Sequence, residues 1–258
     1  MIINGINSGS IQEVEILSDQ ESEKVRKIVL SLKNKWTPRH LKYPVYSLGA
    51  VNYFDIPEYR NPPYMKYAKE CNPILWKNLD WMYKILKDKL SIILGRPVGF
   101  NHNIALPGFH IFEIHDVFRK PESVTHHEFF RRRDNPSTYP GVPIHADTSY
   151  LLINWDLDTD LNNPLSFTVG IDLPETGSGL KVWNLRLNET FNHSEDEILS
   201  LIQSRTSKLY CYKPGRLILH DGKSYHQAWS GEDIKPGEMR MTLQGHGIFT
   251  KGQWILYW

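Results

Sequence analysis

The residues best equipped for chemistry are His145 and Asp147, in the run Ile144-His145-Ala146-Asp147-Thr148. An imidazole and a carboxylate two positions apart share a face of an extended chain, so the pair can grip one metal ion from one side. An oxygen-activating iron centre of the two-histidine, one-carboxylate type needs a second histidine and keeps positions open for co-substrate and O2. The run from Pro214 to His226 offers two candidates. His220 ends an alternating run, Arg216 to His220, just before the turn Asp221-Gly222, which suits a hydrogen-bonded structural histidine. His226 opens the next strand and is preferred, so His145, Asp147 and His226 form the candidate metal and catalytic set. A His-x-Asp triplet alone is common by chance. Here the turn Pro140-Gly141-Val142-Pro143 precedes it and a β-type run follows, where the mouth of a jelly roll would lie.

Arg240 gains meaning from this company. Its guanidinium can recognise a carboxylate through two parallel hydrogen bonds, and Thr242 shares its face of a strand. Together they could hold the far carboxylate of a dicarboxylate chelating iron at its other end. Glu128, upstream of the triplet, is the candidate for meeting a substrate ammonium. His110, Trp258 and Trp254 are candidates for the pocket, a buried core place being the alternative for His110 and the favoured one for one of the two tryptophans, and His246, flanked by glycines, is either a pocket residue or a buried structural one. Arg131-Arg132-Arg133 beside Asp134 reads as a solvated loop, since no interleaved aromatic groove accompanies it. The alternation Asp156, Asp158, Asp160 lacks the glycine and final glutamate of a calcium loop.

These side chains need a scaffold. Ser18-Asp19-Gln20-Glu21 is a capping box opening a helix over about 19 to 35. A proline-rich connection over 37 to 63 carries a short strand near Tyr46. From Pro73, the apolar residues Leu75, Leu79, Met82, Leu86, Leu90 and Ile93 recur at helical spacing until Gly95. After Gly95 the period changes to β-type runs: 98–104, 109–115, 143–152, 165–172, 180–184, 208–213, 216–220, 227–229, 239–249 and 254–257. A short helix capped by Ser194 lies between them. This predicts a mainly β fold with flanking helices: a double-stranded β-helix, cupin-like, with an N-terminal helical buttress. Residues 1–258 read as a single domain, with 1–95 as helical buttress and connection and 96–258 as the jelly-roll core.

Composition narrows the function classes. The 258 residues carry 30 basic and 29 acidic side chains, so total charge indicates neither a nucleic-acid groove nor a membrane surface. The expected partner is a small molecule, in a monomer or homodimer. Cys71 and Cys211 lack metal-ligand spacing and suit a reducing compartment. With no signal-type start and no long apolar run, a cytoplasmic protein is expected.

His145-x-Asp147, His226 and Arg240-x-Thr242 resemble the signature of iron(II)- and 2-oxoglutarate-dependent oxygenases, whose fold is a double-stranded β-helix. Ser47-Leu48-Gly49-Ala50, the helix ending at Gly95, Leu106-Pro107-Gly108-Phe109-His110-Ile111-Phe112 and Thr242-Leu243-Gln244-Gly245-His246-Gly247 are similar to segments of a narrower group. These are small stand-alone hydroxylases of free amino acids, with their carrier-independent halogenase relatives. The halogenases replace the carboxylate ligand with a small residue, whereas this chain keeps Asp147, so halogenation is disfavoured. The resemblance implies Fe(II), 2-oxoglutarate and O2 as cofactor and co-substrates, with release of succinate and CO2. It implies hydroxylation of an unactivated C–H in a free amino acid, a basic one such as lysine included, or in a similar amine-bearing metabolite. Desaturation is not separable from hydroxylation by sequence. The competing class is a metal-binding cupin-type protein, an isomerase or ligand-sensing module, without 2-oxoglutarate chemistry. A nucleic-acid or protein demethylase is disfavoured by neutral charge and compact length.

Overall fold

The computed structural model describes residues 9–39, 44–56, 64–113, 144–155, 158–229, 235 and 237–258. Its elements, in chain order, are β1 (Gln12–Glu15), α1 (Asp19–Ser31), β2 (Thr37–Pro38), β3 (Val45–Leu48), α2 (Asn52–Asp55), α3 (Tyr64–Leu94), β4 (Val98–Phe100), β5 (Gly108–Glu113), β6 (Thr159–Asp172), β7 (Gly179–Arg186), α4 (Glu195–Ser204), β8 (Ser207–Cys211), β9 (Arg216–His220), β10 (Ser224–Trp229), β11 (Met239–Thr250) and β12 (Gln253–Tyr257).

Local chemistry explains the helix ends. The Ser18 hydroxyl accepts from the Glu21 amide while the Glu21 carboxylate accepts from the Ser18 amide, starting α1. Ser194 and Glu197 do the same for α4. The expected first helix closes at Ser31, and a 3-10 turn, Lys33–Lys35, occupies the remainder. α3 starts at Tyr64, so Pro73 lies inside it instead of at its first turn. Buried Tyr64, Ala68 and Cys71 carry the apolar stripe back past the proline, whose missing N–H removes one intrahelical bond. At Leu79 the backbone leaves helical values (φ −134°, ψ 16°) and divides the run. Gly95, at φ +61°, supplies the left-handed stop. No helix among the described residues is long and apolar enough to cross a membrane.

Two sheets form the jelly roll, antiparallel throughout except where β4 runs parallel to β12. The large sheet runs β1-β9-β6-β11-β5-β3-β2, and β12 continues from the far half of β11 to pair with β4; the small sheet is β10-β7-β8. Along β11 the pleat sends Met241 and Leu243 to the outer face, where they join Val25, Val29, Met82, Leu86 and Leu90 of α1 and α3 in one apolar cluster. Arg240, Thr242, Gln244 and His246 take the alternate positions, facing the interior between the sheets. Register then lines up inward residues from neighbouring strands. His220, Ser166 and His246 form one row across β9, β6 and β11, and Ser47, His110, Thr242 and Gly170 another across β3, β5, β11 and β6.

Two expectations need correction. Within the first 95 residues β3 is the short strand expected near Tyr46, but β1 and β2 are further strands of the large sheet beyond the expected helices and connection. Strand β1 carries no sequence signal because it is a four-residue edge strand in which only Val14 is apolar, although its burial alternates. The run 143–152 is not a strand either: among its described residues only His145 makes a β-bridge, and Ser149–Leu152 turn as a 3-10 helix.

Candidate metal centre and cavity

A backbone clip assembles the metal candidates. The segment from 145 to 147 lies antiparallel to the chain between 222 and 226. His145 N–H donates to the His226 carbonyl (3.0 Å), His226 N–H to the His145 carbonyl (2.8 Å) and Asp147 N–H to the Gly222 carbonyl (2.8 Å). Ligand atoms of His145, Asp147 and His226 consequently all lie within 4.8 Å of one another. His145 Nε2 is 3.5 Å from Asp147 Oδ1, and His226 Nε2 is 3.6 Å from Asp147 Oδ2.

Hydrogen bonds decide which histidine can ligate. The Ser224 carbonyl, which can only accept, lies 2.8 Å from His226 Nδ1. The ring proton is therefore on Nδ1, and the unprotonated Nε2, 3.6 Å from Asp147 Oδ2, keeps its lone pair for an ion. Burial pushes the His226 pKa down to about 3, against the pull of Asp147, so the ring is neutral as a ligand must be. His220 is the reverse case. Its Nδ1 accepts from the Gly222 amide (3.1 Å), so its proton sits on Nε2 and it has no lone pair left for a metal. Burial also lowers its pKa. Choosing His226 over His220 thus has a physical basis in tautomers. Asp147 is the counterweight. Burial works against its charge, but the facing His226, the hydrogen bond with His145 and the nearby His246 outweigh that and hold the carboxyl well below its ordinary range.

The site opens on a cavity of about 460 Å³ between the sheets, a size that suits a small molecule. His145, Asp147, His220, His226 and His246 stand on its wall with Ser166, Thr168 and Gln244 from the large sheet and Leu180 and Ala228 from the small one. His110, expected to line the pocket, does so. Burial, with Arg39 and Arg240 nearby, lowers its pKa to about 3 and keeps it neutral. The His110 ring bonds through Nε2 to the Tyr53 hydroxyl, and Tyr53 and Phe54 form the aromatic side of the cavity.

Tyr53, Phe54, Ser166 and Tyr212 were not singled out from sequence. For Ser166 a signal existed: Ser166, Thr168 and Gly170 take the inward parity of an otherwise apolar strand. Tyr53 offered none, because α2 is four residues long and is placed by distant partners. Chief among these is a buried fork between Arg39 and Asp55. Arg39 donates to Asp55 Oδ1 (2.6 Å) and Oδ2 (2.9 Å), to Ser47 Oγ (2.7 Å) and to the Gly49 carbonyl (3.3 Å). Asp55 also accepts from the Val51 amide (2.7 Å).

Arg240 and Thr242 are buried on the inward face of β11, beyond the cavity wall and not on it. The guanidinium carbon lies 4.2 Å from the centre of the Phe112 ring, and its charge reaches His110 and Tyr212, both lining residues. Trp258 corrects a further expectation. It does not line the cavity but is fully buried behind His110, with ring centres 4.9 Å apart, among Val51 and Phe54. Gly108 makes this possible, since a Cβ there would come within 2.4 Å of the indole. Trp254 is likewise core. Glu128, the loop Arg131 to Arg133 and Asp156 lie outside the described residues.

No protein-family model matches the chain, and no curated protein matches it. Among solved structures it is similar to an N-substituted L-amino acid dioxygenase in complex with alpha-KG from Burkholderia ambifaria AMMD, at 16% identity over 75% of this chain and 68% of that chain, with a TM-score of 0.44. It is also similar to the non-heme alpha ketoglutarate dependent carbocyclase SnoK from nogalamycin biosynthesis, at 11% identity over 92% of this chain and 78% of that chain, with a TM-score of 0.47. A Pseudomonas putida prolyl-4-hydroxylase is similar at 10% identity over 94% of this chain and 93% of that chain, with a TM-score of 0.37. The functional reading therefore rests on the side chains themselves.

Proposed function

We propose that this chain, acting as one unit over residues 1–258, is an Fe(II)- and 2-oxoglutarate-dependent oxygenase. Its substrate is a free amino acid or a similarly small amine-bearing molecule, oxidised at an unactivated C–H, with succinate and CO2 released. The observation that carries the reading is the meeting of His145, Asp147 and His226 on the wall of a small-molecule-sized cavity, with the His226 proton held on Nδ1. Iron(II) bound there would supply, with 2-oxoglutarate and O2, the oxidising power that no amino-acid side chain has. The chain's own residues bind, orient and shield. Arg240 and Thr242, deep on β11, are the pair to hold the far carboxylate of 2-oxoglutarate. Tyr53, Phe54 and Tyr212 keep water from the reacting carbon, and Glu128 remains the residue proposed to meet the substrate ammonium. A cytoplasmic monomer or homodimer completes the proposal.

One observation favours a second reading, a metal-binding jelly roll without 2-oxoglutarate chemistry: Arg240 stands behind the cavity wall against Phe112. Anaerobic titration of the apoprotein with Fe(II) and then 2-oxoglutarate separates the two. A visible charge-transfer band is expected, and it should shift on addition of one amino acid among those tried singly. Arg240→Leu should abolish the band while sparing iron binding. Iron bound with no band would sink the oxygenase reading, and a band persisting in Arg240→Leu would remove the role given to Arg240.

A further inference from the structure

The row His220, Ser166, His246 places a hydroxyl beside the candidate carboxylate ligand from a strand that no metal motif marks. Ser166 Oγ lies 2.5 Å from Asp147 Oδ2 and 2.9 Å from His246 Nδ1. The donors in this chain can be deduced. An ionised carboxylate only accepts, so the single Ser166 proton goes to Asp147. The Ser166 oxygen is then the acceptor towards His246, whose proton must sit on Nδ1. A second observation points to the same place. Gly222, at φ +68°, presses its backbone against this junction, and a Cβ there would come within 2.8 Å of Asp147 Oδ2 and 2.9 Å of Ser166 Oγ. The Oδ2 side of the carboxylate is thus held by one hydroxyl and walled by one glycine.

We infer that Ser166, oriented by His246, is a positioning residue of the metal centre: the Ser166–Asp147 hydrogen bond sets the plane in which the Asp147 carboxylate meets the ion. The same chain leaves His246 Nε2 as an acceptor. This inference rests on the metal reading of His145, Asp147 and His226, and goes beyond it by assigning the partner that aims the carboxylate. Partners that orient a ligand typically account for about 10–100-fold in metal affinity.

The test uses Co(II) as probe, with affinity from calorimetry and the visible d–d spectrum as a readout of ligand geometry. Ser166→Ala should weaken Co(II) binding by about 10–100-fold and change the d–d spectrum, and Ser166→Thr, which keeps the hydroxyl, should restore both. Wild-type affinity and spectrum in Ser166→Ala would overturn the inference while leaving the metal reading in place. Failure of the wild-type chain to bind Co(II) would overturn both. If Ser166→Ala does not fold, the comparison moves one residue out. His246→Asn keeps a side-chain N–H near the position of Nδ1 and should retain affinity, whereas His246→Leu should lose it; equal affinities in that pair would likewise overturn the inference.

Discussion

Replacing Arg39 by methionine should be among the most damaging single changes outside the metal centre. Both members of the Arg39–Asp55 pair are shielded, with side chains 3% and 8% exposed, so neither charge can fall back on water. The substitution keeps most of the stem but removes four hydrogen bonds, to both Asp55 oxygens, Ser47 and Gly49. Asp55 would be left buried with only the Val51 amide among these bonds. Stranding one member of a buried pair costs about 3–5 kcal/mol, which in a chain of this size lowers Tm by about 6–20 °C. The exposed pair Arg205–Glu189, with side chains 40% and 39% exposed, is the internal control. Arg205→Gln should cost about 1 kcal/mol or less, because solvent screens it. Thermal unfolding followed by circular dichroism, with urea titration as a second measure, reads both. The double variant Arg39→Met, Asp55→Asn removes the stranded charge and should recover at least about 1 kcal/mol relative to Arg39→Met alone. An Arg39→Met protein as stable as Arg205→Gln, or a double variant less stable than the single, would refute the idea that this fork anchors α2 beside the cavity.

Gly108→Ala should destabilise the protein by about 1–3 kcal/mol or displace Trp258, since the new methyl would lie 2.4 Å from the indole and 2.7 Å from the Leu48 carbonyl; tryptophan fluorescence and Tm report it. Tyr53→Phe removes the hydroxyl that meets His110 Nε2 and should cost about 1–3 kcal/mol in urea unfolding, with Co(II) affinity unchanged because Tyr53 touches no metal candidate. Burial opposes the charge of Asp221, but hydrogen bonds from Arg186 and from the Gly9 and Lys223 amides outweigh it and lower its folded pKa. For a depressed carboxyl the stabilisation is complete above the unfolded value, about 3.9, and is lost as pH falls through the folded one. Asp221→Asn should therefore lower Tm at pH 7 and flatten its acid limb below about pH 4, and an unchanged limb would remove Asp221 from the account.

Much of the site was legible in the sequence because its signals are local. The residues His145 and Asp147, the choice of His226 over His220, and the inward parity shared by Arg240 and Thr242 all follow from spacing on short extended segments. The capping boxes at Ser18 and Ser194 were legible for the same reason: donor and acceptor lie three residues apart. Errors came where the deciding partner is remote. Position 258 in the chain says nothing of Trp258 docking over Gly108 and behind His110. The short α2 has no period, and it exists where it does because Arg39 reaches Asp55. The triplet reads as part of a strand because the pattern cannot tell a full ladder from one bridge to His226.

By itself, then, the sequence determined the residue types able to hold a metal, the change from helical to β period after Gly95, and the alternation that turns one face of each strand inward. Those are properties of neighbouring residues, set by rotamers, pleat and capping chemistry. Only the tertiary structure decided which inward faces meet: that Ser166 stands between His220 and His246, that His220 spends its lone pair on Gly222 while His226 keeps its own, and that Arg240 lies behind the cavity wall. Register between strands far apart in sequence, and the tautomers it imposes, arise from pairings that no local pattern contains.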